Sequence, residues 1–135
     1  MKKEQLAPAF EGVGFGKLIG ARVEEIDIDH AKVVLPFRSE VVTFADIVHG
    51  GAIAGLLDIA ATAAAWSTVE DMTKARGTTI GFSVTYLEAA RGNDVMADAR
   101  VIRRGKQIIY LEVTLTSDGR EVARGLVTYK LDLTD

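Results

Sequence analysis

Asp58 is the side chain in this sequence whose surroundings most strongly indicate chemistry. It is the only formally charged residue between Ile47 and Thr68, in the segment IVHGGAIAGLLDIAATAAAWST. A carboxylate buried without a partner among small and apolar residues costs several kcal/mol, so a chain that keeps one is expected to use it. In that setting it can act as a general base or as a nucleophile. The motif His49-Gly50-Gly51 stands before it, where a helix should begin.

The segment around Asp58 predicts one long helix that begins near His49 and ends near residues 69–72. A helix that is apolar on all sides is expected to be buried on all sides. Its first turn offers unpaired backbone N–H groups and the positive end of the helix dipole. One helix therefore supplies hydrogen-bond donors at Gly50 and Gly51 and an acid or base at Asp58. This combination predicts catalysis on a carbonyl group.

The remaining residues predict strands and turns around that helix. Residues 1–17, interrupted by a proline and several glycines, predict an N-terminal extension or a short helix. Strands are predicted on both sides of the long helix, with a loop at 39–47 and a hairpin turn at Asp118-Gly119: 18–29, 31–38, 78–89, 95–103, 107–116 and 121–132. We expect the last four strands to form an antiparallel meander. The fold class is then α+β, a long central helix wrapped by a curved antiparallel β-sheet, in a single domain over 1–135.

The composition excludes several classes of protein. A chain of 135 residues with 48% hydrophobic and 26% charged residues is typical of one globular domain. The net charge of −3 argues against nucleic-acid binding, and the absence of cysteine excludes disulfides, thiolate nucleophiles and Cys-based zinc sites. The N-terminus lacks the apolar run of a signal peptide, and a charge at the centre of the helix disfavours a membrane span. We expect a cytoplasmic protein with no membrane partner.

The helix geometry predicts that an active site is shared between chains. Gly50 and Asp58 are eight residues apart, which separates their backbones by about 12 Å along one helix. Reacting atoms must approach to about 3–3.5 Å. Two helices packed antiparallel about a two-fold axis would bring Gly50 of one chain beside Asp58 of the other, and would cover the face that the sheet leaves open. We therefore predict a homodimer at least, with a homotetramer as the larger alternative.

The combined pattern resembles the hotdog-fold acyl-CoA thioesterases, in the branch of the phenylacetic-acid-pathway thioesterase and thioesterase superfamily member 2. The resemblance runs from about Leu18 to Leu131 and rests on the spacing HGGxxxxxxD, a strand ending in Tyr86-Leu87 and the basic turn at 103–106. It implies hydrolysis of acyl-CoA thioesters by a homodimer or a dimer of dimers. It also implies that no metal and no separate cofactor take part, since coenzyme A is part of the substrate.

The resemblance further implies roles for individual residues. Asp58 acts as base towards water or as nucleophile, and the Gly50 N–H donates to the thioester oxygen, with Gly51 as a second donor. His49 supports the loop at the helix start and is not itself the base. These four residues form the catalytic and neighbouring substrate-binding part of the site.

Two further substrate contacts lie outside the motif. Thr43 stands six residues before His49, where members of the family often carry Asn, and its hydroxyl can still donate one hydrogen bond. Thr79 matches a hydroxyl residue that the family often places near the reacting water.

The basic turn Arg103-Arg104-Gly105-Lys106 admits two interpretations. It can be an ordinary solvated turn, or its cations can bind the 3′-phosphate and pyrophosphate of coenzyme A.

The function also has alternatives. A non-catalytic acyl-CoA binding or sensing module keeps the fold, and Thr43 leaves this possibility open. An acyl-thioester dehydratase is less favoured, because such enzymes pair a His with an acid, whereas His49 and Asp58 lie at different points of the helix. Asp58 could also be a structural acid satisfied by backbone donors. The sequence does not identify the acyl group.

Overall fold

The computed structural model describes residues 2–134, with the backbone alone at residue 2. Two N-terminal helices, α1 and α2, precede two strands, a small ribbon, one long helix and four long strands. In chain order the elements are α1 (Lys2–Glu11), α2 (Gly14–Ile19), β1 (Arg22–Asp27), β2 (His30–Leu35), β3 (Val42–Phe44), β4 (Ile47–Val48), α3 (Gly50–Ala65), β5 (Ala75–Tyr86), β6 (Val95–Arg104), β7 (Ile108–Ser117) and β8 (Arg120–Leu133). Short 3-10 turns occupy Ser39–Val41, Trp66–Thr68 and Met72–Lys74.

Six strands form one antiparallel sheet in the order β1-β2-β6-β7-β8-β5, and α3 packs on one of its faces. The predicted α+β fold is thus confirmed. The predicted meander is correct for β6, β7 and β8 and wrong for β5, which pairs with β8 from Ala75↔Leu133 to Tyr86↔Ala123. β6 pairs instead with β2. Alternation along a strand determines which face each side chain takes, not which strand lies beside it, so the sequence pattern could not reveal this crossover.

The central helix is shorter at its C-terminal end than the sequence predicts. It ends at Ala65, and a 3-10 turn follows. The Arg104 guanidinium donates to the carbonyls of Ala64 and Ala65 at 3.3 and 3.1 Å, and the Ser67 hydroxyl donates to Ala64 at 2.6 Å. These side chains satisfy carbonyls that a longer helix would have paired internally, so they end it here.

The sheet approaches α3 closely. Leu56, Leu57 and Ala60 are fully buried against it. At Gly125 on β8, an added Cβ would lie 2.5 Å from Leu57 Cδ1 and 2.5 Å from the Ser83 carbonyl oxygen. Any side chain at this position would collide with the helix and with the neighbouring strand. Glycine therefore allows β8 to pack closely against α3.

One stripe of α3 is only partly covered by its own chain, and the prediction that a second copy of the chain covers this face stays a prediction. Gly51 is exposed, and Gly55, Asp58 and Thr62 are partly exposed along this stripe. The segment Gly50–Thr68 is long and apolar enough to cross a membrane, but half of it is buried in the protein, as in any core helix. Beside it, β5 forms an edge of the sheet. The stripe and the edge strand together form an open surface of the single chain.

The N-terminal segment differs from the strand predicted from residue 18. Residues 14–19 are helical, and Gly20 ends this turn at φ 77°, so β1 begins only at Arg22. Leu6 of α1 is buried in the core, and the Glu11 carboxylate accepts the Val23 N–H at 2.6 Å. These contacts fix α1 and α2 against the helix and the sheet.

Candidate active site

The start of α3 leaves one backbone donor unpaired. His49 is the N-cap: its Nδ1 accepts the Gly51 N–H at 2.7 Å, and its carbonyl accepts the N–H groups of Ala52 and Ile53 at 3.0 and 3.1 Å. Within residues 2–134, the Gly50 N–H has no acceptor. The helix N-terminus therefore presents the Gly50 N–H to an incoming oxygen, while the Gly51 N–H is taken by the cap.

Neighbouring segments hold this helix start in place. His49 donates its N–H to the Val41 carbonyl at 2.7 Å, and Val48 donates to Ala90 at 2.9 Å. The Tyr86 hydroxyl at the end of β5 donates to the Gly50 carbonyl at 2.7 Å. A shift in register between Thr79 and Gly81 reverses the alternation of β5, which was not visible in the sequence.

Asp58 is half-buried and has one partner within the described chain. The Thr79 hydroxyl on β5 donates to Asp58 Oδ1 at 2.7 Å. No protein donor within residues 2–134 reaches the other oxygen, Oδ2, which is left to accept from a water or a ligand. The structure thus brings together two of the residues predicted for the site.

A buried hydrogen bond lies next to this pair. Trp66 Nε1 donates to the Tyr129 hydroxyl at 2.7 Å, and Tyr129 is the direct partner of Thr79 across β5 and β8. An added Cβ at Gly77 would collide with both side chains. Burial raises the pKa of the Tyr129 phenol, as does the nearby charge of Asp58, against the opposing effect of the bond from Trp66. The Tyr129 phenol next to the Asp58 carboxylate therefore stays neutral.

The two halves of the predicted site do not meet within one chain. Gly50 is the first residue of α3 and Asp58 the ninth. A rise of about 1.5 Å per residue separates them by about 12 Å along the axis. The unpaired N–H and the unpaired carboxylate oxygen thus belong to different regions of a single chain.

A cavity flanks each side of the helix start. One, of about 390 Å³, is lined by Thr43, Gly50, Tyr86 and the loop after β5. Thr43 lies exposed on β3 at the rim of this cavity. The other, of about 410 Å³, is lined mainly by apolar side chains of α2 and of residues 40–42, together with His49 and Gly51. All the site residues predicted near the helix start therefore border one of these two cavities.

The basic turn between β6 and β7 divides into two kinds of residue. The Arg104 guanidinium is occupied: its Nη2 lies 2.8 Å from Asp29 Oδ1, and it also donates to the last carbonyls of α3. Arg103 and Lys106 are exposed and line a cleft of about 780 Å³ with Gln107 and Tyr110. Only these two cations of the turn point towards a space where a phosphate could bind.

His30 lies at the start of β2 and contacts two carboxylates. Its Nε2 lies 2.7 Å from Asp98 Oδ1, and its Nδ1 lies 3.2 Å from Glu25 Oε2. Glu25, Asp27 and His30 offer ligand atoms within 4.8 Å of one another. This cluster belongs to the β1–β2 hairpin, whereas the candidate site is built on α3 and β5. We assign it a role in pairing β1, β2 and β6.

Known proteins share this architecture. A family model described as the thioesterase superfamily matches residues 45–124. Acyl-coenzyme A thioesterase 13 of Homo sapiens is 32% identical over 87 residues, which cover 62% of this chain and 60% of that protein. A mutant of thioesterase PA1618 from Pseudomonas aeruginosa superposes with a TM-score of 0.85 at 24% identity, over 96% of this chain and 93% of that one. Zebra fish thioesterase superfamily member 2 gives 0.81 at 24% identity, over 95% and 94%. The two solved structures confirm the hotdog fold.

Proposed function

Because the chain belongs to the thioesterase superfamily, we propose that it hydrolyses an acyl-CoA thioester to the free acid and coenzyme A. The observation that carries the proposal is the pair of unsatisfied groups on one apolar helix. The Gly50 N–H is a donor without an acceptor, and the Asp58 carboxylate has only the Thr79 hydroxyl as partner within the described chain. The name of the human relative, acyl-coenzyme A thioesterase 13, supports the choice of substrate class.

The reaction needs these two groups on opposite sides of the thioester carbonyl. The carbonyl oxygen accepts from the Gly50 N–H, at the positive end of the helix dipole, where negative charge develops in the transition state. Asp58 takes a proton from a water molecule, and the resulting hydroxide equivalent attacks the carbonyl carbon. The Thr79 hydroxyl fixes Oδ1, so the proton goes to Oδ2. The tetrahedral intermediate then expels coenzyme A as a thiolate, and the thiolate takes up the proton held by Asp58, which restores the carboxylate. No strong general acid is needed, because a thiol is a good leaving group, with a pKa of about 8.5 for a cysteine thiol.

Asp58 can also attack the carbonyl directly. In that route the carboxylate oxygen bonds to the acyl carbon, coenzyme A leaves, and water hydrolyses the mixed anhydride. In a single turnover in ¹⁸O-labelled water, ¹⁸O in Asp58 shows direct attack followed by entry of water at the Asp58 carboxyl carbon. If water enters at the acyl carbon, both routes place the ¹⁸O in the product acid. Rapid quenching with a labelled acyl group then distinguishes them, because only direct attack leaves the acyl group transiently on the protein.

The site is completed by a second copy of the chain. The separation of about 12 Å between Gly50 and Asp58 exceeds the near-attack distance of about 3–3.5 Å. The open part of the α3 stripe, which contains Gly51 and Asp58, gives an antiparallel partner helix a surface on which to pack. Such packing supports two equivalent sites per dimer, each with Gly50 from one chain and Asp58 from the other.

The phosphates of coenzyme A are assigned to Arg103 and Lys106. Their turn lies beside the C-terminal end of α3, because Arg104 between them binds the Ala64 and Ala65 carbonyls. Asp58 is about 10 Å from that end along the helix. The pantetheine arm can therefore run from the thioester at Asp58 towards these two exposed cations.

Hydrolysis of a panel of acyl-CoA thioesters, with the released thiol detected, tests this function. At least one member should be hydrolysed, and Asp58→Asn should lower kcat/KM by about 10²-fold or more, as expected for loss of a general base. Asn keeps the shape and still accepts from Thr79, so the fold should survive. Binding without turnover by the wild-type chain would identify an acyl-CoA binding module, and undiminished turnover in Asp58→Asn would reject the role of Asp58.

A further inference from the structure

The cavity of about 410 Å³ beside the start of α3 has an apolar wall supplied by the N-terminal segment. Phe15 and Leu18 of α2 line it together with Val41 and Val42, and His49 and Gly51 belong to the same lining. Glu40 contributes the charged side chain at this cavity. Ligand pockets of this size, mainly apolar with a few polar groups at one end, are typical of small-molecule sites.

Phe15 is seated on the central helix at a glycine. An added Cβ at Gly55 would lie 2.6 Å from Phe15 Cε2 and 2.9 Å from its Cζ, so only glycine allows the ring to rest there. The ring is nevertheless 50% exposed, and Leu18 is 71% exposed. Two large apolar side chains thus border the cavity without being covered by their own chain.

The short helix that carries these side chains is fixed at both ends. Ile19 is buried in the core, and the Arg38 guanidinium donates to the Leu18 carbonyl at 2.6 Å. The Ala21 N–H donates to the Gly16 carbonyl at 2.8 Å, behind the left-handed Gly20. The wall is therefore a packed part of the fold, and its side chains have a defined position.

We propose that this cavity receives the acyl group and that Phe15 sets the length of chain it accepts. The inference rests on the proposed function, because the carbonyl would be held at the Gly50 N–H, and both sequence neighbours of Gly50 line this cavity. The acyl group it fits is an uncharged apolar one, since the lining offers no cation and Glu40 would repel a second carboxylate. The opposite cavity, with Thr43, Gly50 and Tyr86, offers polar groups suited to the thioester and its pantetheine amides.

The role of Phe15 is tested by measuring kcat/KM for straight-chain acyl-CoA thioesters of increasing length. The measurement is made on the wild-type protein and on the Phe15→Ala and Phe15→Trp variants. Phe15→Ala should move the optimum of kcat/KM to longer chains and Phe15→Trp to shorter ones. Each methylene gained or lost from the pocket should change kcat/KM by about fourfold. Val13→Ala is the matched control, because Val13 is exposed on the same segment but does not line the cavity, and it should keep the wild-type profile.

A double-mutant cycle links the effect to the contact between ring and helix. Gly55→Ala should displace the Phe15 ring and alter the chain-length profile, whereas the same substitution in a Phe15→Ala background should change it little. Additive effects of the two substitutions would show that the ring does not rest on Gly55 during turnover.

A binding measurement separates failure of this inference from failure of the proposed function. Non-hydrolysable thioether analogues of the same chain lengths are titrated into Asp58→Asn protein with and without Phe15→Ala. A shift in preferred length supports the pocket even if no thioester is hydrolysed. Unchanged length profiles in both Phe15 variants, by turnover and by binding, would overturn the inference while leaving any measured thioesterase activity intact.

Discussion

At the scale of single residues, the chemistry depends on which polar groups are left unsatisfied. In the first turn of α3, His49 accepts the N–H groups of Gly51, Ala52 and Ile53, so only the Gly50 N–H is left for the proposed donor role. The motif His49-Gly50-Gly51 identified this region from the sequence. It could not show which N–H is unpaired, because that depends on the rotamer by which the His49 ring turns back to cap the helix.

A proline at position 50 removes that donor without disturbing the helix. Proline is favoured at the first helical position, and His49 already has φ −60° and ψ 134°, the extended conformation that a following proline requires. Gly50→Pro should therefore fold but lose about 10²–10³-fold in kcat, as expected for one oxyanion donor. Gly50→Ala is the matched control: it places the same Cβ about 3.3 Å from the Tyr86 ring and keeps the N–H. Equal activity in the two variants would remove the donor role from Gly50.

At the scale of elements, the basic turn shows how one stretch of sequence can hold side chains in two different environments. Arg103 and Arg104 are adjacent and identical in type, yet strand alternation turns Arg104 inward to Asp29 and the end of α3 while Arg103 faces solvent. The charge run left two interpretations open, a solvated turn or a phosphate site. It could not show this division, because the β6–β7 register shifts between Val101 and Arg103.

Arg104→Met should therefore affect stability, and Arg103→Met should not. Loss of the charged hydrogen bonds from Arg104 should lower the free energy of unfolding by about 1–3 kcal/mol. The exposed neighbour should change it by less than about 0.5 kcal/mol. Urea denaturation measures the free energy of unfolding of both variants. The two are compared at one protein concentration, because assembly makes the apparent stability depend on concentration. Equal midpoints for the two variants would contradict the structural role of Arg104.

The substrate role of the same turn is tested by Arg103→Ala with Lys106→Ala. The phosphates are far from the bond that breaks, so their binding energy is the same in the ground and transition states. The double variant should raise KM for acyl-CoA with little change in kcat. It should leave hydrolysis of the corresponding pantetheine thioester, which lacks the nucleotide, unaffected. Equal losses on the two substrates would place the coenzyme A site elsewhere on the protein.

Much of the element pattern was predictable because periodicity is a local property. The apolar period of α3 and the alternation in β6, β7 and β8 gave the long helix and three neighbouring strands correctly. The position of β5 was missed because it depends on a crossover of residues 87–94 to the far side of the sheet. The start of the first strand was placed too early, at residue 18, because GFGKLI, with two glycines, carries no signal that the helical turn at 14–19 continues to Ile19.

At the scale of the whole molecule, one surface is left without cover. The stripe of α3 that carries Asp58 lies beside the edge strand β5, where Ile80 and Phe82 are 58% and 43% exposed. An open strand edge with apolar side chains is a surface that proteins pair or cover. A second copy placed on this surface would cover the stripe and bring each Asp58 towards the Gly50 of its partner. The central claim is therefore that neither chain contains a complete site.

Mixed dimers test that claim most directly. Asp58→Ala and Gly50→Pro chains are co-expressed with different tags and purified through both, with each variant alone as the inactive reference. In the mixed dimer, one site combines the intact Asp58 of one chain with the intact Gly50 of the other, and the second site carries both defects. The account predicts about half of the wild-type activity per dimer. Activity no higher than the mean of the two single-variant proteins, in dimers of confirmed composition, would show that Gly50 and Asp58 act within one chain and would contradict the account.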